Sequence, residues 1–175
     1  MESFASENGI RIRRGGSLSQ IGRGRIAGQS VLLALPQTYM NASGEAVAAL
    51  CQKYDIEPSA LCVVFDDIDL PLGALRMRAR GSAGGQKGVA SIIAALGTQG
   101  FPRLRVGVRG ELYSRERDLG DYVLDRFRKE ERPEFEGTID RAVEALGIWL
   151  TEGIDAAMRY ANQRVSSPGS ASDPD

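Results

Sequence analysis

The chain has 175 residues, 42% of them hydrophobic and 26% charged, with a formal net charge of −1. That size suits one globular domain with a core of its own, and it holds no apolar run of about 18 residues that could cross a bilayer and no apolar opening of the secretion-signal kind. It also contains no histidine, which excludes Ser-His-Asp and Cys-His catalysis within these residues and disfavours most zinc sites.

Residues 31–35 form a short apolar run ahead of Pro36 and are predicted as a buried strand. Ser43 is placed to cap a helix reaching about residue 54, with Val47, Leu50 and Cys51 on one face. Residues 61–65 read as a second buried strand, stopped by the carboxylates Asp66, Asp67 and Asp69, and residues 70–73 make a turn. Residues 74–80 alternate: Leu75, Met77 and Ala79 point one way, Arg76, Arg78 and Arg80 the other. After the glycine-rich stretch 81–85 a helix starts near Gln86, carries Val89, Ile92, Ile93 and Leu96 on one stripe, and ends at Gly97.

Residues 104–108 are a third buried strand, and the polar stretch 111–118 is irregular. A long amphipathic helix spans 134–151 with Ile139, Val143, Leu146 and Leu150 inward, and Gly153 separates it from a last helix near 155–163. The tail 166–175 is too polar and too rich in helix breakers to order itself, leaving one domain over 1–165. Cys51 and Cys62 lie in apolar surroundings and read as small buried hydrophobes, the usage of a cytoplasmic protein. Strands alternating with amphipathic helices give an α/β class: a mixed sheet flanked by helices in three αβα layers.

Three segments place polar residues where strands end, which is where α/β sheets bind ligands. In Pro36-Gln37-Thr38-Tyr39-Met40-Asn41, the amide of Asn41 suits a carbonyl or a water; it also suits a helix cap. The carboxylates of Asp66, Asp67 and Asp69 could hold magnesium, orient a base or solvate a turn. Glycines 81, 84, 85 and 88 with Lys87 open a helix as an anion site does, or serve structure alone; the Gly-Lys-Ser/Thr of a phosphate loop is missing. Charge is segregated as well. Seven basic residues and no acidic one lie between Ala74 and Gly110, against nine basic and fifteen acidic from there to the end. A local positive face on a neutral protein would follow, although a solvated surface rich in arginine would read the same way.

The order and wording of these segments resemble the bacterial-type peptidyl-tRNA hydrolase family. The resemblance rests on Leu35-Pro36-Gln37-Thr38-Tyr39-Met40-Asn41-Ala42-Ser43-Gly44-Glu45-Ala46-Val47, Asp66-Asp67-Ile68-Asp69-Leu70-Pro71-Leu72-Gly73 and Gly81-Ser82-Ala83-Gly84-Gly85. Leu96-Gly97-Thr98-Gln99, Phe101-Pro102-Arg103-Leu104-Arg105-Val106-Gly107, Asp121-Tyr122-Val123-Leu124 and Ala156-Ala157-Met158 also fit, so that residues 9–162 are covered.

The resemblance implies hydrolysis of the ester between a peptide and the 3′ ribose of tRNA, by a cytoplasmic monomer with no metal or organic cofactor and no membrane partner. It implies that Asn41 orients the reacting carbonyl or the attacking water, that Tyr39 contacts the tRNA end, and that Asp66 holds the family's catalytic histidine. Arg78 and Arg105 match positions that grip tRNA phosphate. Two departures stand out. Gln86-Lys87 replaces the family's His-Asn, so Lys87 stands for an asparagine that contacts substrate and can donate but not accept a hydrogen bond. The family's first strand, its Gly-Asn-Pro-Gly turn and its histidine segment have no counterpart, which reads as an N-terminally truncated member starting inside the first helix. A chain of this kind is expected to be inactive or impaired, either through a start assigned at an internal methionine or as a non-catalytic RNA-binding homologue. An unrelated nucleotide-binding α/β protein is disfavoured because no phosphate motif is complete.

Overall fold

The computed structural model of the chain describes residues 1–15, 18–110 and 127–163. The expectations for 111–118, for Asp121-Tyr122-Val123-Leu124 and for the tail 166–175 fall outside the described residues. A short helix α1 (Glu2–Glu7) leads into β1 (Arg13–Arg14), β2 (Ser19–Ile26) and β3 (Gln29–Pro36). A 3-10 turn (Met40–Ala42) precedes α2 (Ser43–Tyr54), followed by β4 (Val63–Pro71), β5 (Leu75–Arg78), α3 (Lys87–Leu96) and β6 (Arg103–Arg109). The described chain closes with α4 (Arg132–Glu152) and α5 (Ile154–Ala161).

The strands form two three-stranded sheets. One is antiparallel in the order β1-β2-β3; the other runs β4-β6-β5, with β4 parallel and β5 antiparallel to β6. Alternation along the second sheet sorts its two faces. Leu75, Met77, Leu104 and Val106 pack on one side against Ala142, Leu146 and Ala157 of α4 and α5, with Phe4 of α1. On the other side Val63 and Phe65 lie against Val47, Val89, Ile92 and Phe101, beneath α2 and α3. Helices on both faces of the strands give the three layers expected, and they follow from period-2 burial on the strands. β5 shows it plainly, with Leu75 and Met77 buried and Arg76 and Arg78 exposed. Its outer edge is closed by Asn162, whose side chain accepts the Met77 N–H at 2.8 Å and donates to the Met77 carbonyl at 3.1 Å. That pairing shields one strand edge with a side chain.

Three local readings change, and one hairpin has no counterpart among them. Ser43 does not cap α2: Ala42 holds that position and the Ser43 hydroxyl donates to the Met40 carbonyl at 2.9 Å. The acidic cluster does not stop its strand, because β4 continues through Asp66, Asp67 and Asp69 to Pro71, with a register shift between Asp67 and Pro71. The long helix begins at Arg132, where Pro133 tolerates the unpaired first turn. The hairpin of β2 and β3 turns through Ala27 and Gly28, both at positive φ, so that Ile26 faces Gln29 across a two-residue loop. β2 is hard to see in the sequence because glycines lie on its inner side. A Cβ at Gly22 or Gly24 would fall 2.7 or 2.5 Å from the side chain of Ile10.

β3 and β4 face each other across a cleft of about 950 Å³, lined by Val31, Leu33, Cys62, Val64 and Trp149 among others. Each of the two strands ends its own sheet there. Burial pushes the Cys62 thiol from its ordinary 9.0 up to about 12. Stability from keeping that thiol neutral is therefore whole below pH 9 and is lost as pH climbs toward 12. Denaturant midpoints measured from pH 8 to pH 11 should fall less steeply for Cys62→Ala than for the parent. Packing supplies a second check. A Cβ at Gly44 would sit 2.2 Å from the Ser91 carbonyl oxygen, where α2 crosses α3 and the Gly44 N–H meets the Ser91 hydroxyl at 2.9 Å. Gly44→Ala should cost about 1–3 kcal/mol by urea denaturation. Gly137→Ala, in open space on α4, should gain about 0.5–1 kcal/mol.

Candidate active site and nucleic-acid interface

The loop after β3 is exposed at its tip: Tyr39 is 88% accessible, Met40 54%, and Asn41 projects beside them. It is held against the start of α3. The Gln86 carboxamide oxygen caps that helix by accepting the Val89 N–H at 2.9 Å, while its Nε2 lies 3.5 Å from the Met40 sulfur. Gly88 allows this approach, since a Cβ there would stand 2.7 Å from the same sulfur. Asn41 and Tyr39 are thus presented next to the first turn of α3, whose first residue is the exposed Lys87. A helix N-terminus with a lysine favours an anion. Gln86 has a part that its sequence position did not suggest: it ties the two loops together.

Below the loop, Asp66 lines the cleft with Thr38, Met40 and Gln86. The Thr38 hydroxyl oxygen is buried and has no hydrogen-bond partner among the described residues, and sequence reasoning passed over it because a threonine in a loop carries no signal of its own. The three carboxylates separate. Asp66 faces the cleft, Asp69 is exposed, and Asp67 is buried, with Oδ1 accepting the Asp69 N–H at 2.9 Å and Oδ2 paired with Nε of Arg105. Among the described residues no three His, Cys, Asp or Glu side chains converge as metal ligands would.

The basic stretch is divided in the same way. Arg76, Arg78, Arg80 and Lys87 are exposed. Arg103 is 3% accessible. Its guanidinium donates to the Ser82 carbonyl at 2.9 Å, the Gln99 carbonyl at 3.0 Å and the Phe101 carbonyl at 3.4 Å, and it lies 4.4 Å from the Phe101 ring centroid. Burial lowers its pKa; the carbonyls and the ring offset that cost. Arg103 therefore anchors the glycine-rich loop. Of the six residues expected at the site, Tyr39, Asn41 and Lys87 gather around the start of α3 and Asp66 lines the cleft beneath. Arg78 is exposed on β5, whereas Arg105 on β6 is engaged by Asp67. An amide, a carboxylate and a cationic rim can hold a carbonyl and a phosphate together.

The sequence profile described as "Peptidyl-tRNA hydrolase" matches residues 1–168. A peptidyl-tRNA hydrolase of Roseiflexus castenholzii is 46% identical over 166 residues, which is 94% of this chain and 77% of the relative. One from Chloroflexus aurantiacus is 45% identical over 166 residues, 93% of this chain and 86% of the relative. Among solved structures, a peptidyl-tRNA hydrolase complexed with N-propanol superposes with a TM-score of 0.86 at 30% identity, covering 95% of this chain and 84% of that one. The Acinetobacter baumannii peptidyl-tRNA hydrolase gives 0.84 at 31% identity, covering 92% and 81%.

The Arg103 contacts generate a stability test. Arg103→Ala should destabilise the fold by about 3 kcal/mol in urea, because a charged donor is removed from buried carbonyls. Arg103→Lys should recover little of that, since an ammonium lacks the planar fork that reaches both loops.

Proposed function

Because the chain belongs to the peptidyl-tRNA hydrolase family, we propose that it binds peptidyl-tRNA at the start of α3, with the ester carbonyl beside Asn41 and Asp66. The observation that supports this reading is the Met40–Gln86 contact, which ties the loop that carries Tyr39 and Asn41 to the cap of α3, beside the cleft that Met40, Gln86 and Asp66 line. Asn41 orients the carbonyl or the attacking water through its amide. Tyr39 contacts the terminal nucleotide, an aromatic surface for a base to stack on. Lys87 donates to the carbonyl or to a phosphate. Arg78 meets phosphate on the exposed side of β5. Such contacts give affinity without reading sequence, which suits an enzyme that accepts many tRNAs. The protein acts in the cytoplasm as a monomer, and no helix among the described residues is long and apolar enough to cross a membrane.

Ester hydrolysis needs a water to lose its proton as it attacks. The 175 residues hold no histidine, so the imidazole that the family resemblance assigns to that step is not among them. Binding and turnover are therefore expected to separate. A second reading is a non-catalytic RNA-binding homologue, and one pair of assays decides between the two.

Deacylated tRNA should bind with an affinity that falls steeply with salt. Arg78→Gln and Lys87→Gln should each lower the slope of log K against log salt by about 0.7–0.9. Peptide release from peptidyl-tRNA by the 175-residue chain should run about 10²–10⁴-fold below a family member that carries the histidine. Rates equal to that member would overturn the catalytic part. Salt-independent or absent tRNA binding would overturn the whole.

A further inference from the structure

Three buried side-chain polar atoms have no hydrogen-bond partner among the described residues: Ser19 Oγ, Thr38 Oγ1 and Arg103 Nε. Buried polar groups are paired as a rule, so each exception asks for a reason. The Arg103 guanidinium is already engaged through its other two nitrogens, which donate to carbonyls on both sides. Ser19, on β2, is not among the residues that line the cleft. Thr38 does line it, together with Asp66, Met40 and Gln86.

The chain around Thr38 is tied on both sides. Before it, the Gln37 N–H donates to the Leu18 carbonyl at 2.8 Å and the Gln37 Nε2 donates to the Pro36 carbonyl at 3.2 Å. After it, the Ala42 N–H donates to the Tyr39 carbonyl at 2.9 Å and the Ser43 hydroxyl to the Met40 carbonyl at 2.9 Å. The same loop that turns Tyr39 outward therefore buries the neighbouring hydroxyl oxygen. A buried hydroxyl without a partner lowers stability, and proteins keep such costs where function needs them.

We propose that the Thr38 hydroxyl binds the acyl end of peptidyl-tRNA, a contact further to those of Asn41 and Asp66. The inference rests on the reading that the ester lies beside those two residues. Tyr39, Lys87 and Arg78 are exposed and meet the tRNA from outside, whereas a buried atom in the cleft reaches only a group that enters it. The acyl group is the part that enters. A hydroxyl both donates and accepts, so it pairs with the ester carbonyl or with the last peptide N–H. Neither the Asp66 carboxylate, which only accepts, nor the Lys87 ammonium, which only donates, serves both.

Thr38→Val keeps the shape and removes the hydroxyl, and Thr38→Ser keeps the hydroxyl. Each is compared with the parent in binding deacylated tRNA and an N-acetyl-phenylalanyl-tRNA whose 3′ ester is replaced by an amide that resists hydrolysis. Thr38→Val should bind the acylated tRNA about 3–10-fold more weakly, the worth of one hydrogen bond, and deacylated tRNA as the parent does. Thr38→Ser should restore most of the lost affinity. Because the hydroxyl lacks a partner in the free protein, Thr38→Val should also raise the urea midpoint, opposite to the effect of deleting a structural hydrogen bond. A lowered midpoint with both tRNAs weakened alike would assign the hydroxyl to the fold and overturn the proposal. Unchanged affinity of Thr38→Val for the acylated tRNA would overturn it as well.

A 3′-amino-3′-deoxyadenosine carrying the same N-acetyl-phenylalanyl group presents the acyl end without any phosphate. If it binds the parent more tightly than Thr38→Val while neither tRNA binds, the tRNA reading falls and the Thr38 assignment stands. If the tRNAs bind but Thr38→Val loses nothing on either acylated ligand, the tRNA reading stands and the Thr38 assignment falls. If neither acylated ligand binds the parent, both fall.

Discussion

Arg103 spans two loops that are distant in sequence, and the rest of the site follows from that span. Its planar fork reaches the Ser82 carbonyl on one side and the Gln99 carbonyl on the other. The segment before α3 and the segment after it are therefore fixed to the same point of β6. With both ends tied, α3 has one available position over Val63 and Phe65, and Gln86, its cap, meets Met40. A cation buried at this depth needs several acceptors to offset its lost hydration. Here the acceptors are backbone carbonyls, which cannot rotate away. A residue that looks from sequence like part of a charged surface is thus the peg on which the segments at both ends of α3 hang.

What could be read from the sequence tracks how local each signal is. α3 was legible because its apolar stripe and the Gly97 that ends it lie close together in the chain. The alternation from Leu75 to Arg78 was legible for the same reason. The run from Leu35 to Val47 carried Asn41 and Tyr39 by its wording, which no composition argument would have supplied. β2 was missed because its inner face is made by glycines that admit Ile10, and an absent side chain leaves no hydrophobic period to detect. β4 was cut short because three carboxylates look like a stop, whereas the fold neutralises Asp67 with an arginine 38 residues away.

The charge pattern shows the same limit. Seven cations without an acid between Ala74 and Gly110 fit a positive face or a solvated arginine-rich surface alike, and Arg76, Arg78, Arg80 and Lys87 are exposed. Two of the seven are nonetheless spent internally, Arg103 on carbonyls and Arg105 on Asp67. Counting residues gives the sign of such a surface, and only tertiary partners give its strength.

The parallel pairing of β4 with β6 also bears on how the molecule assembles. β2 and β3 are joined by two residues and can zip together as soon as both exist, on the microsecond scale of hairpins. Val63 of β4 has to wait for Arg103 of β6, with α3 and its glycine-rich approach in between. Closing so long a loop carries an entropic toll before any contact rewards it. During synthesis the hairpin and α2 would leave the ribosome well ahead of the strand that completes the second sheet, so the segments that Arg103 ties at both ends of α3 are among the later parts to reach their final arrangement.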